Sequence, residues 1–221
     1  ANKYFNVITW AGNSTSGRQI TGVGFQPDFV WLKNRSAAWN NSLSDAIRGA
    51  NKQLISNATD AEYTNTVWGY TSSFDTDGFT ATSGANGISN INETGSNYVA
   101  WNWKANGSGS SNTAGSITST VSANTTSGFS IVTYTGNGSL NATFGHGLGV
   151  APSMIIVKSR SNTNAWPIYH SALGANKYIY LNLTQAPDTV TGLWGSSGPS
   201  SSLVYLPTST SQNEVNGSGT T

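Results

Sequence analysis

Gly24-Phe25-Gln26-Pro27-Asp28-Phe29-Val30-Trp31-Leu32-Lys33-Asn34-Arg35-Ser36 returns later in the chain as Gly149-Val150-Ala151-Pro152-Ser153-Met154-Ile155-Ile156-Val157-Lys158-Ser159-Arg160-Ser161. Gly, Pro, Lys, Arg and Ser coincide at one offset, 125 residues, as from Pro27 to Pro152. The same offset carries Gly49-Ala50-Asn51-Lys52 onto an identical Gly174-Ala175-Asn176-Lys177, and Asn57 and Thr59 onto Asn182 and Thr184. Upstream, Phe5-Asn6-Val7-Ile8-Thr9-Trp10-Ala11-Gly12-Asn13 matches Phe129-Ser130-Ile131-Val132-Thr133-Tyr134-Thr135-Gly136-Asn137 at an offset one residue shorter, and Asn92-Glu93-Thr94-Gly95 matches Asn216-Gly217-Ser218-Gly219. A collinear series of this length points to internal duplication. Its period far exceeds that of a solenoid repeat, so each copy is expected to be a domain.

The apolar spacing within each copy is that of strands. Phe5–Trp10 and Phe129–Tyr134 follow a period of two, while Val30-Trp31-Leu32 and Met154–Val157 are short continuous runs ended by polar residues. Such runs predict central strands buried on both faces, with Trp31 and Ile156 in the cores. Tyr98–Trp103, Tyr178–Leu183 and Leu203–Leu206 add strands, and Asp77-Gly78, Asn106-Gly107, Asn137-Gly138 and Asn216-Gly217 mark turns. A helical option exists only over Ser42–Leu54. The expectation is therefore all-β: two tandem β-sandwich modules, jelly-roll-like, related by duplication. The first covers residues 1–105, a Gly/Ser-rich linker covers 106–115, and the second covers 116–221. The first copy runs from Asn92–Gly95 into Tyr98–Trp103, whereas the sequence given reaches Thr221 where that closing strand would begin. The second copy is thus expected to lack its last strand here. Continuation of the natural polypeptide is favoured as its source over donation by another chain through β-augmentation.

Composition narrows the function. Charged residues make up 9% of the 221, against ~25% in an ordinary soluble domain, and Ser, Thr, Asn and Gly fill about half the chain. With 8 Trp, 9 Tyr and 7 Phe the chain is not of the disordered class. A net charge of +1 gives no electrostatic footprint for nucleic acid, and no apolar run is long enough for a membrane-spanning helix. The absence of Cys excludes disulfides and thiolate metal sites. A first residue of Ala1 fits either removal of an initiator Met or a start inside a longer polypeptide.

No catalytic constellation is legible. His146 and His170 have no histidine at the matching places in the first copy, and the nine acidic residues are scattered rather than paired. Asp75-Thr76-Asp77-Gly78 has the alternate oxygen ligands of a calcium loop but not the rest of the set, so a hairpin turn is the preferred reading. No metal and no cofactor is expected, and the chain is read as a non-enzyme.

Two groups are candidate ligand-binding residues. Lys33 with Arg35, and Lys158 with Arg160, lie two apart at strand ends, where they share a face. They suit an anionic sugar or a neighbouring subunit; the favoured alternative is that they solvate the strand ends and pair with carboxylates or backbone carbonyls. Trp39, Trp68, Trp166 and Trp194 fall in loop-like stretches, where a ring either stacks on a sugar or protein partner or folds back as a core plug. Asn13, Asn57 and Asn182 head N-x-S/T triplets that arise by chance in such a composition.

The pattern Tyr134-Thr135-Gly136-Asn137-Gly138, then Gly145-His146-Gly147-Leu148-Gly149-Val150-Ala151-Pro152, then Ile155-Ile156-Val157-Lys158-Ser159-Arg160, resembles a module of bacteriophage virion structural proteins, especially marine ones. Thr21–Ser36, Asp45–Ala50, Ser73–Phe79 and Tyr98–Trp101 fit the same likeness in the first copy. The resemblance implies a structural or adhesive component of a phage particle: a tail fibre, a tail-associated protein or a capsid-surface protein in contact with the host surface. Other virion proteins, copies of the chain itself and a cell-surface glycan are its implied partners, and the virion surface its place. No catalytic residue comes with it. The alternative is a carbohydrate-binding module of a secreted or cell-surface protein.

Overall fold

A computed structural model describes residues 3–88, 90–208 and 213–221. Ala1, on which the reading of the chain start turned, lies outside them. The protein is all-β, built of antiparallel sheets, and divides into two compact units. Unit 1 comprises Ala1–Ile55 and Glu62–Ser108; unit 2 comprises Ser56–Ala61 and Gly109–Thr221.

Unit 1 holds β1 (Phe5–Ala11), β2 (Arg18–Thr21), β3 (Phe29–Asn34), β4 (Ser42–Asp45), β5 (Gly49–Ile55), β6 (Tyr63–Thr64), β7 (Tyr70–Asp75), β8 (Gly78–Thr82) and β9 (Asn97–Trp103). They form a six-stranded sheet in the order β1-β9-β3-β4-β5-β6 and a three-stranded sheet in the order β2-β8-β7. The core lies where side chains of the two sheets meet. Val30, Leu32, Tyr98 and Ala100 come from the first; Ile20, Phe79 and Ala81 come from the second; Ile91 joins from a loop. Burial of these apolar groups is the main stabilising contribution.

The parity of β3 corrects one expectation. Val30 and Leu32 are 1% and 3% exposed, while Phe29 and Trp31 on the opposite face are only half-buried. Trp31 is therefore not a core residue. It packs edge-to-face on Trp101, as Phe29 does on Trp103. A run of apolar residues hides which face turns inward, because a strand's alternation is invisible when both parities are apolar.

Unit 2 holds β10 (Ser110–Asn112), β11 (Ser119–Asn124), β12 (Phe129–Tyr134), β13 (Thr143–Gly145), β14 (Met154–Ile156), β15 (Pro167–His170), β16 (Lys177–Tyr180), β17 (Asp188–Thr189), β18 (Leu203–Tyr205) and the single turn of α1 (Asn213–Asn216). Its sheets run β10-β11-β12, β14-β15-β16-β17 and β13-β18. Ile117, Phe144, Tyr169, Trp194, Val204 and Leu206 anchor its core. The two other segments that sequence placed differently also resolve as strands and turns. Ser42–Leu54 is β4, a turn at Ala46–Arg48 and β5, with Asp45 accepting the amides of Ile47 and Arg48 in place of a helix. Within the Gly/Ser-rich stretch 106–115, Ser110–Asn112 is a strand held by β11.

Strand pairing runs in the same register in both units at the sequence offset. Phe29 faces Asp45 and Met154 faces His170; Lys52 faces Thr64 and Lys177 faces Thr189. Ile20 faces Phe79 where Phe144 faces Val204. The sheets around these pairs differ: β12 borders β11 where β1 borders only β9, and β2-β8-β7 has three strands where β13-β18 has two. In unit 1, β9 lies between β1 and β3, antiparallel to both. In unit 2, β12 and β14 each end a sheet, with no strand between them among the described residues.

Candidate functional site

The basic pairs serve local backbone first. Lys33 Nζ donates to the Trp39 carbonyl at 2.5 Å, and Lys158 Nζ to the carbonyls of Ser159 (2.7 Å) and Asn162 (2.9 Å). Burial lowers the Lys158 ammonium to about 8, against the opposing attraction of Asp60 and Glu214. Arg35 is exposed. Arg160 is half-buried, and its amide donates to the Thr221 carbonyl.

The tryptophans separate by burial. Trp194 is fully buried in the unit 2 core, edge-to-face with Tyr169. Trp166 is 3% exposed and its Nε1 donates to the Ala58 carbonyl at 2.9 Å. Neither ring presents a face to a ligand: both plug the core. Trp39 is half-buried. Trp68 alone of the four stands in solvent, 50% exposed beside Val67 at 44%. Asn65 shapes that loop: its Oδ1 accepts the amides of Val67 and Trp68, and its Nδ2 donates to the Gly69 carbonyl and to Gln53 Oε1. The structure thus does not gather the four rings into one surface.

The histidines and carboxylates brace turns. His146 is buried; its Nε2 lies 3.2 Å from the Ser200 carbonyl and its Nδ1 accepts the Leu148 amide, which sets the neutral Nε2–H tautomer. Burial pushes its pKa below the ordinary value, partly offset by the Ser200 carbonyl. His170 Nδ1 accepts the Ala172 amide. Asp75 accepts the hydroxyls of Ser73 and Thr80 across the β7–β8 hairpin, and Asp77 accepts the amides of Gly22 and Gly24. Gly78 closes that hairpin at φ +149°, where an added Cβ would strike the Ile20 carbonyl. Among the described residues no cluster of His, Asp and Glu suits a metal ion.

Two features escaped the sequence reading. Arg48, buried, donates to Asp45 (2.5 Å) and Glu62 (2.9 Å). Asp45-x-x-Arg48 was visible as spacing, but nothing local pointed to Glu62. The second is a cleft in unit 2, whose lining includes Val132, Tyr134, Val157, Lys158, Arg160 and Glu214 as well as Ser159 and Thr221. Ser159 is 5% exposed, and its hydroxyl has no hydrogen-bond partner.

These features define an all-β protein whose polar side chains brace loops and whose second unit carries a cleft beside β12. The chain belongs to the family described as a domain of unknown function, DUF7483, whose profile matches residues 1–220. No curated protein matches the chain, and no solved structure matches it.

Proposed function

We propose that the chain is a tandem of two jelly-roll-like β-sandwich modules acting as a non-enzymatic structural or adhesive component of a bacteriophage particle. Its place in this reading is the virion surface, in a tail fibre, tail-associated or capsid-surface protein, where it contacts other virion proteins and further copies of itself. The observation that carries the reading is the paired register of the two units at the sequence offset. Met154 opposite His170 repeats Phe29 opposite Asp45, in modules whose buried polar groups brace turns. A surface kept soluble by neutral hydroxyl and amide groups rather than charge suits repeated packing beside like modules.

The exposed Trp68 supports host-surface contact through a glycan, since an aromatic face stacks on a sugar ring. The test is to raise antibodies to the chain and probe density-purified phage particles by immunogold microscopy and mass spectrometry. Gold on intact particles supports the role. Absence from particles, with the chain recovered in a secreted fraction that retains polysaccharide, overturns it in favour of a carbohydrate-binding module.

A further inference from the structure

We infer that Trp68 is the stacking platform of a binding site for a neutral sugar ring, a site that unit 1 carries and unit 2 does not. The inference rests on the glycan contact of the proposed function and says where, and with what chemistry, that contact is made.

Both units contain the same short step. Val67-Trp68-Gly69 corresponds to Leu193-Trp194-Gly195, one residue beyond the 125-residue offset. Backbone bonds fix the correspondence on either side. Asn65 N donates to Asn51 O as Val190 N does to Asn176 O, and Ala85 N donates to Thr66 O as Thr208 N does to Gly192 O. The two indoles nevertheless end in opposite surroundings. Trp194 is fully buried, edge-to-face with Tyr169, whereas Trp68 is 50% exposed.

Three positions account for the difference. Tyr169, Tyr178 and Val190 of the unit 2 core stand where unit 1 has Ser44, Gln53 and Asn65. Strand pairing makes the first two equivalent: Ile155 faces Tyr169 as Val30 faces Ser44, and Tyr178 faces Asp188 as Gln53 faces Tyr63. The three polar side chains are buried, at 2%, 2% and 4% exposure, and Asn65 Nδ2 donates to Gln53 Oε1 at 2.7 Å. Seating an indole there would separate that pair, and each orphaned amide would cost about 1–3 kcal/mol. The polar lining therefore turns Trp68 outward.

The outward position is held by the fold. Asn65 Oδ1 accepts the amides of Val67 (3.2 Å) and Trp68 (3.1 Å), and the Trp68 carbonyl accepts the Asn90 amide at 2.9 Å. Gly84 lies against the Val67 carbonyl, in space that a Cβ would fill. A ring fixed through its backbone has less freedom to lose on binding.

The surroundings select the occupant. No residue from Tyr63 to Tyr70, or from Gly84 to Ile88, is charged, and Thr66 and Asn86 expose a hydroxyl and an amide. The flanking charges are engaged: Glu62 with Arg48 at 2.9 Å, and Lys52 donating to the Thr64 hydroxyl. A sugar's C–H face stacks on an indole while its hydroxyls meet neutral donors and acceptors. The large apolar side chains exposed on this loop are Tyr63, Val67 and Trp68. Three side chains expose far less than the ~800 Å² that each partner of a stable protein complex buries, so the place suits a sugar ring better than a protein face.

The whole chain, labelled with fluorotryptophan, is titrated with maltohexaose, cellohexaose and mannohexaose, and with hexagalacturonate as the charged counterpart. Fluorine NMR follows each indole, the Trp68 resonance being assigned by its loss in Trp68→Phe. A saturable shift of the Trp68 resonance with at least one neutral sugar is expected, with the Trp194 resonance unmoved and hexagalacturonate bound more weakly. Trp68→Ala should weaken binding, measured by calorimetry, at least about tenfold, and Trp68→Phe, which keeps a flat ring, should weaken it less. Three results overturn the proposal: no shift of Trp68 with any of the three neutral sugars, undiminished binding by Trp68→Ala, or tighter binding of hexagalacturonate. Sugar binding by a protein absent from phage particles would remove the particle role and leave this site standing. Particles that carry the protein, with no sugar shift at Trp68, would do the reverse.

Discussion

Asn92 and Asn216 make the same grip in the two units. The Asn92 side-chain amide donates to Asn13 Oδ1 and the Thr15 carbonyl; that of Asn216 donates to Asn137 Oδ1 and the Ser139 carbonyl. Asn92 is thereby tied to the loop after β1, and Asn216 to the loop after β12. Both side chains are buried, so each hydrogen bond replaces one that water would otherwise supply.

Truncating Asn92 to Ala should therefore cost about 2–3 kcal/mol, because it orphans buried partners as well as removing bonds. Asn92 also accepts from Arg18 at 2.9 Å, a charge-assisted contact that Asn216 lacks a counterpart for in the described bonds. Asn216→Ala is expected to cost less than Asn92→Ala. Urea unfolding of both variants checks the order.

Leu32→Ala and Trp31→Ala separate the two faces of β3. Leu32, 3% exposed in the core, should lose about 2–5 kcal/mol on truncation. Trp31, half-buried on the opposite face, should lose less despite its larger ring. A larger loss at Trp31 would place the core on the wrong side of the strand.

The Asp45–Arg48–Glu62 cluster is buried, with side-chain exposures of 4%, 4% and 11%. Removing one partner strands a charge, so Asp45→Ala should destabilise the protein by roughly 3–5 kcal/mol. Replacing all three by apolar residues of similar volume should cost much less than the single change. Thermal unfolding of the single and triple variants decides between these.

Stability should fall as pH drops below 6.5, the ordinary histidine value. Burial depresses the pKa of His146 in the folded state, so the unfolded chain takes up its proton first. The contribution of the neutral imidazole is complete above the unfolded value and is lost as pH falls through the folded one. Replacing His146 with Gln should flatten that part of the profile, measured by urea midpoints at a series of pH values. An unchanged slope would show that other groups produce it.

Particular residues show what the sequence could tell and what it could not. The repeated Gly-x-x-Pro…Lys-x-Arg-Ser pattern predicted equivalent strands, and once Phe29 is seen to pair with Asp45 the offset implies the pairing of Met154 with His170. Trp31 was placed on the wrong face because Val30, Trp31 and Leu32 are all apolar. Ser110–Asn112 carries no apolar signal, since its strand exists by pairing with β11 rather than by burial of its own. Trp166 and Trp194 lie between strands in sequence, and only the fold shows that their rings fill the core. Glu62 joins Arg48 across fourteen residues of sequence, beyond any local pattern.

The central claim is that the strands of the two units pair in one register at the sequence offset, and amide hydrogen exchange tests it most directly. The account predicts slow exchange for amides of β1 and β3 that bond to β9. Amides bonding β14 to β15 and β15 to β16 should be protected at the positions equivalent to those bonding β3 to β4 and β4 to β5. Protected amides at positions that are not equivalent between the two units would contradict it.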